Sequence, residues 1–363
     1  MKEQRAVGPN LKSYYYYTNE SAQKEDIKGI IVIATGMEGT GALYDEIGEY
    51  LDQKGYALYT NDELGYGKTG KIVEKTGYKN WKRKDSYYAA YNIHGLVCLA
   101  KEAHPGKEVC LIGNDFGAML SLLTVRHFPE NVDKLVTIGW GTPRPQDYGL
   151  LLTAYIRKFF LFDFNKSKIG HFGKNKRLAL RFERDDKYSW LTSDKEQLAK
   201  IKAAGYLDTP GSIGHYFHYY ARKVRVPTFM ILRKCNKDLP MLFISGHDDL
   251  TTQRGRRTKI LAAHYKLRKF TNVTCSIVDG RHELLFEKNR FENVDNILNW
   301  IEGRTTQKDY HADENEVFDK IEVVGHNKVE TAVEKEPAKK TEQFIDVSIL
   351  EEADDDLRIV VKK

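Results

Sequence analysis

The chain has 363 residues, 57 of them basic and 51 acidic, for a formal net charge of +6. Both signs are mixed along it rather than gathered into a block, which argues against a nucleic-acid partner and allows only transient contact with an anionic membrane surface. The four cysteines (Cys98, Cys110, Cys235 and Cys275) form no CxxC pair, and Cys110 and Cys275 lie in apolar runs, as small buried thiols do.

The N-terminal stretch "MKEQRAVGPNLKSYYYYTNE" lacks the apolar centre of a signal peptide. No stretch approaches the ~18 apolar residues of a membrane span, so a soluble, cytoplasmic protein is expected. "YYYY" at 14–17 reads as an edge strand. "GIIVIATG" (29–36) reads as a buried strand, and "LYDEIGEYLDQKG" (43–55) as a helix with Leu43, Ile47 and Leu51 at helical intervals. "YALYTNDELGYGKTG" gives a strand and a glycine-rich turn, and "SYYAAYNIHGLVCLAKEAHPG" a helix closed by Pro105 and Gly106. "EVCLIG", "GAMLSLLTVRHF" and "KLVTIGW" (134–140) continue as strand, helix and strand.

This alternation predicts an α/β fold with a mostly parallel central sheet covered by helices on both faces. The rhythm stops over 142–238, an aromatic and basic stretch punctuated by Pro143, Pro145, Pro210 and Pro227, and reads there as an inserted helical lid. It returns with the strand "LPMLFISG" (239–246), the helix "RRTKILAAHYKLRKF", the strand "VTCSIVDG" (273–280) and the helix "FENVDNILNWIEG". The expected organisation is a core made of 1–141 and 239–303, a lid at 142–238, and a charged, mostly disordered tail at 304–363 whose partner the sequence does not name.

Chemistry concentrates at three places. In "LIGNDFGAML" (111–120) a strand runs into a helix through a tight turn. Gly113 and Gly117 flank Asp115 where such a turn ordinarily presents a serine nucleophile. "FISGHDDLTT" places acids after the next strand of the returning rhythm, and "SIVDGRHELLFE" places His282 after the one that follows. Nucleophile, acid, histidine is the order that a hydrolase of this architecture requires.

From about 28 to 303 the chain resembles the monoacylglycerol lipase and lysophospholipase group of the α/β-hydrolase superfamily, also grouped with the serine aminopeptidases. The resemblance runs through "ATGMEGTGALYDEIGEYLDQKGYALYTNDELGYGKTG", "LIGNDFGAM", "YSWLTSD", "LPMLFISGHDDLTTQRG" and "GRHELLFEKNRFENVDNILNWIE". It implies an α/β-hydrolase fold with a lid and a small-molecule ester or lipid substrate, such as a monoacylglycerol or lysophospholipid. It implies no cofactor and no metal. By position Asp115 matches the nucleophilic serine, Asp249 the acid, three residues after Gly246, with Asp248 as the fallback, and His282 the base. The oxyanion hole would use the backbone N–H groups of Met37 and Phe116.

Three signatures depart from the family's pattern: its HG is Thr35-Gly36 here, its GHSMG is GNDFG, and its DHRGHG runs from Asp62 to Gly67. A carboxylate, with a reference pKa near 3.9, is ionised at neutral pH without help from a base. Its attack on an ester carbonyl would give a mixed anhydride, whereas attack on an sp3 carbon would give an ordinary alkyl ester. The alternatives are therefore an Asp-nucleophile hydrolase of epoxides or alkyl halides, a non-catalytic pseudo-hydrolase with a binding role, and an aspartate introduced into a serine enzyme. Trp190, in "YSWLTSD", reads as packing in the lid, with a place in the acyl pocket as its functional alternative. The basic residues of 222–237 read as the lid's surface, with a phospholipid headgroup contact as the sharper reading.

Overall fold

The computed structural model describes residues 1–8, 13–36, 39–70, 81–82, 84–160, 166–167, 178–205, 207, 209, 211–226 and 235–304. Eight strands form one sheet: β1 (Lys2–Val7), β2 (Ser13–Thr18), β3 (Gly29–Ala34), β4 (Tyr56–Asn61), β5 (Val109–Asn114), β6 (Lys134–Ile138), β9 (Met241–Gly246) and β10 (Val273–Val278). Their order across the sheet is β1-β2-β4-β3-β5-β6-β9-β10. From β4 to β10 every pairing is parallel, and β1 and β2 join antiparallel at one side. Every residue of β3, β5 and β9 is buried, as expected of strands covered on both faces.

Two apolar layers provide that cover. On one face α2 (Asp85–Ala103), α3 (Phe116–His127) and α7 (Arg256–Leu267) pack residues such as Ile93, Leu120 and Leu261 against Val32 and Leu111. On the other, α1 (Asp45–Lys54) and α8 (Arg290–Ile301) pack Ile47, Leu51, Ile297 and Leu298 against Ile31, Ile33 and Ile112. Among the described residues, no helix is long and apolar enough to cross a membrane.

The tyrosine run does not form the edge. Tyr16 and Tyr17 of β2 pair with β1 on one side and β4 on the other, so the edge falls to β1. Its sequence, KEQRAV, is mostly exposed and half charged, and has no apolar run to announce a strand.

Between β6 and β9 the chain forms α4 (Pro145–Phe159), α5 (Lys195–Ala203) and α6 (Ile213–Arg225), with a two-residue antiparallel bridge of β7 (Lys166–Ser167) and β8 (Gly211–Ser212). This insertion extends both apolar layers. Leu198 and Ile201 of α5 join the α1 side, and Tyr216, Phe217 and Tyr219 of α6 join the α2 side. The expected tail from 305 onward lies outside the described residues.

Candidate active site

Ligands of open parallel sheets bind beyond the carboxyl ends of the strands. There, the turns after β5, β9 and β10 bring Asp115, Asp249 and His282 together. Asp115 has φ 43° and ψ −106°, a conformation that L side chains rarely adopt. Its amide donates to the Ile138 carbonyl of β6 (2.9 Å), and its own carbonyl accepts from Ala118 at the start of α3 (3.1 Å). The glycines on either side leave no room for a side chain. A Cβ at Gly113 would stand 2.5 Å from the Ala118 Cα, and one at Gly117 would stand 2.1 Å from the Ala34 carbonyl oxygen. Strand and helix can approach this closely only where the backbone carries hydrogens alone.

His282 lies between two carboxylates. Its Nδ1 is 3.1 Å from Asp249 Oδ2 and 3.0 Å from Thr251 Oγ1. Its Nε2 is 3.4 Å from Asp115 Oδ1. Asp249 is fully buried. Its Oδ1 accepts from the Thr251 amide (2.8 Å) and hydroxyl (2.7 Å), and its Oδ2 from the hydroxyls of Thr252 (3.0 Å) and Ser245 (3.3 Å). Burial alone would lower the His282 pKa, but the charge of Asp249 and the hydrogen bonds to Asp115 and Asp249 raise it well above 6.5. Burial likewise opposes the ionised form of Asp249, yet the facing His282 holds its pKa below 3.8. Both shifts favour the charged forms of His282 and Asp249, while Asp115 stands on the other side of the ring.

Asp248, the second choice for the acid, stands half exposed beside His247 and is not brought to His282. Phe116 is buried at the first position of α3, with its ring 5.0 Å from that of Trp81 and 5.7 Å from that of Tyr219. The first N–H groups of a helix have no partner within it, which is what an oxyanion donor needs. Met37 lies outside the described residues. Asp62, the first residue of a departed signature, is buried and serves its own turn, accepting from Thr40 Oγ1 (2.7 Å) and from the amides of Gly41 (3.1 Å) and Lys68 (2.6 Å).

Two further features complete the surroundings of His282. The first is Trp190, expected in the lid or the acyl pocket, whose ring centroid lies 5.2 Å from that of His282, so the insertion supplies one wall of the imidazole, a contact that the sequence did not indicate. Its segment is tied to the histidine turn. The Glu283 amide donates to the Leu191 carbonyl (2.8 Å) and Thr192 Oγ1 to the Phe286 carbonyl (2.8 Å). Arg281 donates to the carbonyls of Ser189 and Thr192 and pairs with Glu183 (2.8 Å). The second is Glu283, buried beside His282, with Oε1 3.9 Å from Nε2 and Oε2 accepting from the side chain of Asn114. Asp115, His282 and Glu283 hold ligand atoms within 4.8 Å of one another, so these three residues could hold a cation. The only sequence signals were adjacency, since Asn114 precedes Asp115 and Glu283 follows His282.

Beside Asp115 opens a cavity of about 20 Å3 lined by Trp140, Arg144, Tyr219, Lys223, Thr251 and Arg257 among others. That volume holds one small polar group.

Residues 25–289 match the model of Hydrolase_4, the serine aminopeptidase S33 family. The chain belongs to this family. Hydrolase_4 is a hydrolase family of the α/β-hydrolase superfamily, and the sheet order and helix layers of the chain have that superfamily's form. No curated protein matches the chain in sequence. Among solved structures it is similar to a thermostable carboxyl esterase from Bacillus coagulans in complex with glycerol, at 18% identity and a TM-score of 0.71, over 83% of this chain and 98% of that one. It is also similar to a soluble variant of monoglyceride lipase from Saccharomyces cerevisiae in complex with a substrate analog, at 15% identity and a TM-score of 0.58, over 84% and 96%. At such identities the likeness speaks for the fold.

Proposed function

We propose that this chain hydrolyses small esters, lipid monoesters included, through Asp115, His282 and Asp249, with Asp115 standing where the family carries its serine. Membership of Hydrolase_4 supports the reaction class, and the esterase and monoglyceride lipase neighbours support the substrate class. One observation carries the assignment of residues: His282 is buried between carboxylates at 3.1 and 3.4 Å.

At an acyl carbon the carboxylate acts as a base. A water placed between Asp115 and the ester loses a proton to Asp115 as its oxygen bonds to the carbonyl carbon. The charge that develops on the carbonyl oxygen meets the N–H of Phe116, with that of Met37 as the second donor inferred from the sequence. When the tetrahedral carbon collapses, the imidazolium gives its Nε2 proton to the leaving alkoxide. Asp115 then returns the proton taken from water to His282, 3.4 Å away, and the pair is reset.

The same carboxylate–imidazolium pair favours a second reading for an sp3 carbon. A carboxylate oxygen of Asp115 opens an epoxide, the new alkoxide takes the Nε2 proton, and the neutral imidazole deprotonates the water that cleaves the alkyl ester of Asp115.

The test is turnover of para-nitrophenyl butyrate by the unmodified protein, Asp115→Asn and Asp115→Ser. The expected loss in the asparagine variant is about a hundredfold or more, and an undiminished rate there overturns the assignment. For the second reading, a single turnover of an epoxide in isotopically labelled water puts the label in Asp115 on the covalent route and in the diol if water attacks the carbon directly. Silence of the unmodified protein, with activity gained in Asp115→Ser, would mean an ester-hydrolase scaffold that the aspartate silences or redirects, and silence in both would favour the binding role.

A further inference from the structure

Three basic side chains, Arg144, Lys223 and Arg257, line the cavity beside Asp115. They come from separate elements: Arg144 precedes α4, Lys223 lies on α6, and Arg257 is at the start of α7. Asp115, the acid in the same lining, lies 3.4 Å from His282 Nε2. Behind the wall, Asp147 is buried and pairs with Arg144 (3.4 Å) and Lys223 (3.3 Å). Arg257 meets no carboxylate among the described residues. Its guanidinium donates to Gln253 Oε1 (3.0 Å) and to the Pro143 carbonyl (3.3 Å), both neutral.

The wall thus carries more positive than negative charge in a space for one small polar group. Arg144 is 9% exposed and the Lys223 side chain 13%, so water screens these charges weakly. Arg257, half-buried and facing no carboxylate among the described residues, is the charge that an arriving anion would match. A neutral acyl chain would gain nothing from such a wall.

We infer that the substrate of this site carries an anionic group, a carboxylate at the end of a short acyl chain, which docks against Arg257, Lys223 and Arg144 while the scissile bond lies at Asp115. The inference rests on the proposed ester hydrolysis and narrows its substrate class to small anionic esters. Arg257 fixes the end of the anion by two N–H donors in one plane, and Lys223 adds a point charge from the facing helix.

The experiment compares kcat/KM for mono-para-nitrophenyl glutarate, which is charged, and para-nitrophenyl pentanoate, which is neutral and of similar length. Arg257→Gln is the variant to use, because Arg257 holds no buried acid and its loss strands none. The unmodified protein should prefer the charged ester about tenfold or more. That ratio should fall to about one in Arg257→Gln and be largely restored in Arg257→Lys. Equal rates on the two esters, or a preference that survives in Arg257→Gln, overturn the inference. If neither ester is hydrolysed, the proposed reaction fails, and calorimetric titration with glutarate decides the site separately. Binding that is lost in Arg257→Gln upholds the anion site. No heat up to about 10 mM glutarate, or binding indifferent to the substitution, removes it.

Discussion

Asp249 and Asp115 both reach His282, at 3.1 and 3.4 Å, yet the turns that carry them differ in nearly every other respect. The Asp249 turn is saturated: the acid is fully buried, and Ser245, Thr251 and Thr252 direct hydroxyl or amide hydrogens at both of its oxygens. The Asp115 turn is strained and open. Its residue has positive φ, its side chain keeps 17% exposure, and a cation-lined cavity lies alongside. A carboxylate fixed by four donors orients its neighbour, whereas one on a strained turn beside a cavity is available to a substrate.

Removing the charge of the Asp249 turn should give the largest effect. Asp249→Asn leaves the Nδ1 side of His282 without a carboxylate, and we expect about 3 kcal/mol of lost stability, read by urea denaturation, together with near-complete loss of turnover. A stability change within experimental error would show that the two acids are interchangeable and would erase the contrast.

A smaller effect follows from pH. The folded pKa of His282 is raised above 6.5, so its contribution to stability is whole below that value and is lost as pH rises through the folded pKa. The folded pKa of Asp249 is lowered, so its contribution is present above 3.8 and is lost as pH falls through the folded pKa. Each step has a limiting slope of about 1.4 kcal/mol per pH unit. Denaturation series at several pH values should show an alkaline decline in the unmodified protein that is missing in His282→Gln. An identical decline in both would mean that His282 holds no extra proton.

The smallest effect probes the strained turn alone. Asp115→Gly and Asp115→Ala both remove the carboxylate, but only glycine adopts φ 43° without cost. The glycine variant should be more stable by about 1 kcal/mol, measured as a difference in denaturation midpoints. Equal stabilities would place the strain elsewhere.

Much of this arrangement was legible in the sequence because it is local. Alternating apolar strands and amphipathic helices gave the sheet, and glycines at 113 and 117 marked a turn whose closeness the structure explains atom by atom. Asp249 and His282 could be placed because each follows its strand by a few residues. What could not be read is what the fold brings from afar. Trp190 lies 92 positions before His282 and meets it only because the insertion folds back over the site. The charged wall draws Arg144, Lys223 and Arg257 from the loop before α4 and from α6 and α7, segments that look like ordinary solvated surface when taken singly. β1 was hidden for the opposite reason, as its exposed, charged sequence has no apolar pattern to read.

The stitching between residues 183–193 and 281–287 bears on how such molecules exchange parts. Arg281 joins Glu183, Ser189 and Thr192, and Glu287 accepts from the Ser193 amide and hydroxyl, so this length of the insertion belongs mechanically to the histidine turn. A chimera that replaces the whole insertion with a relative's would strip His282 of its aromatic wall and leave Arg281 and Glu287 without their partners. The workable grafting boundary lies after Asp194, and the interchangeable module is only the remainder.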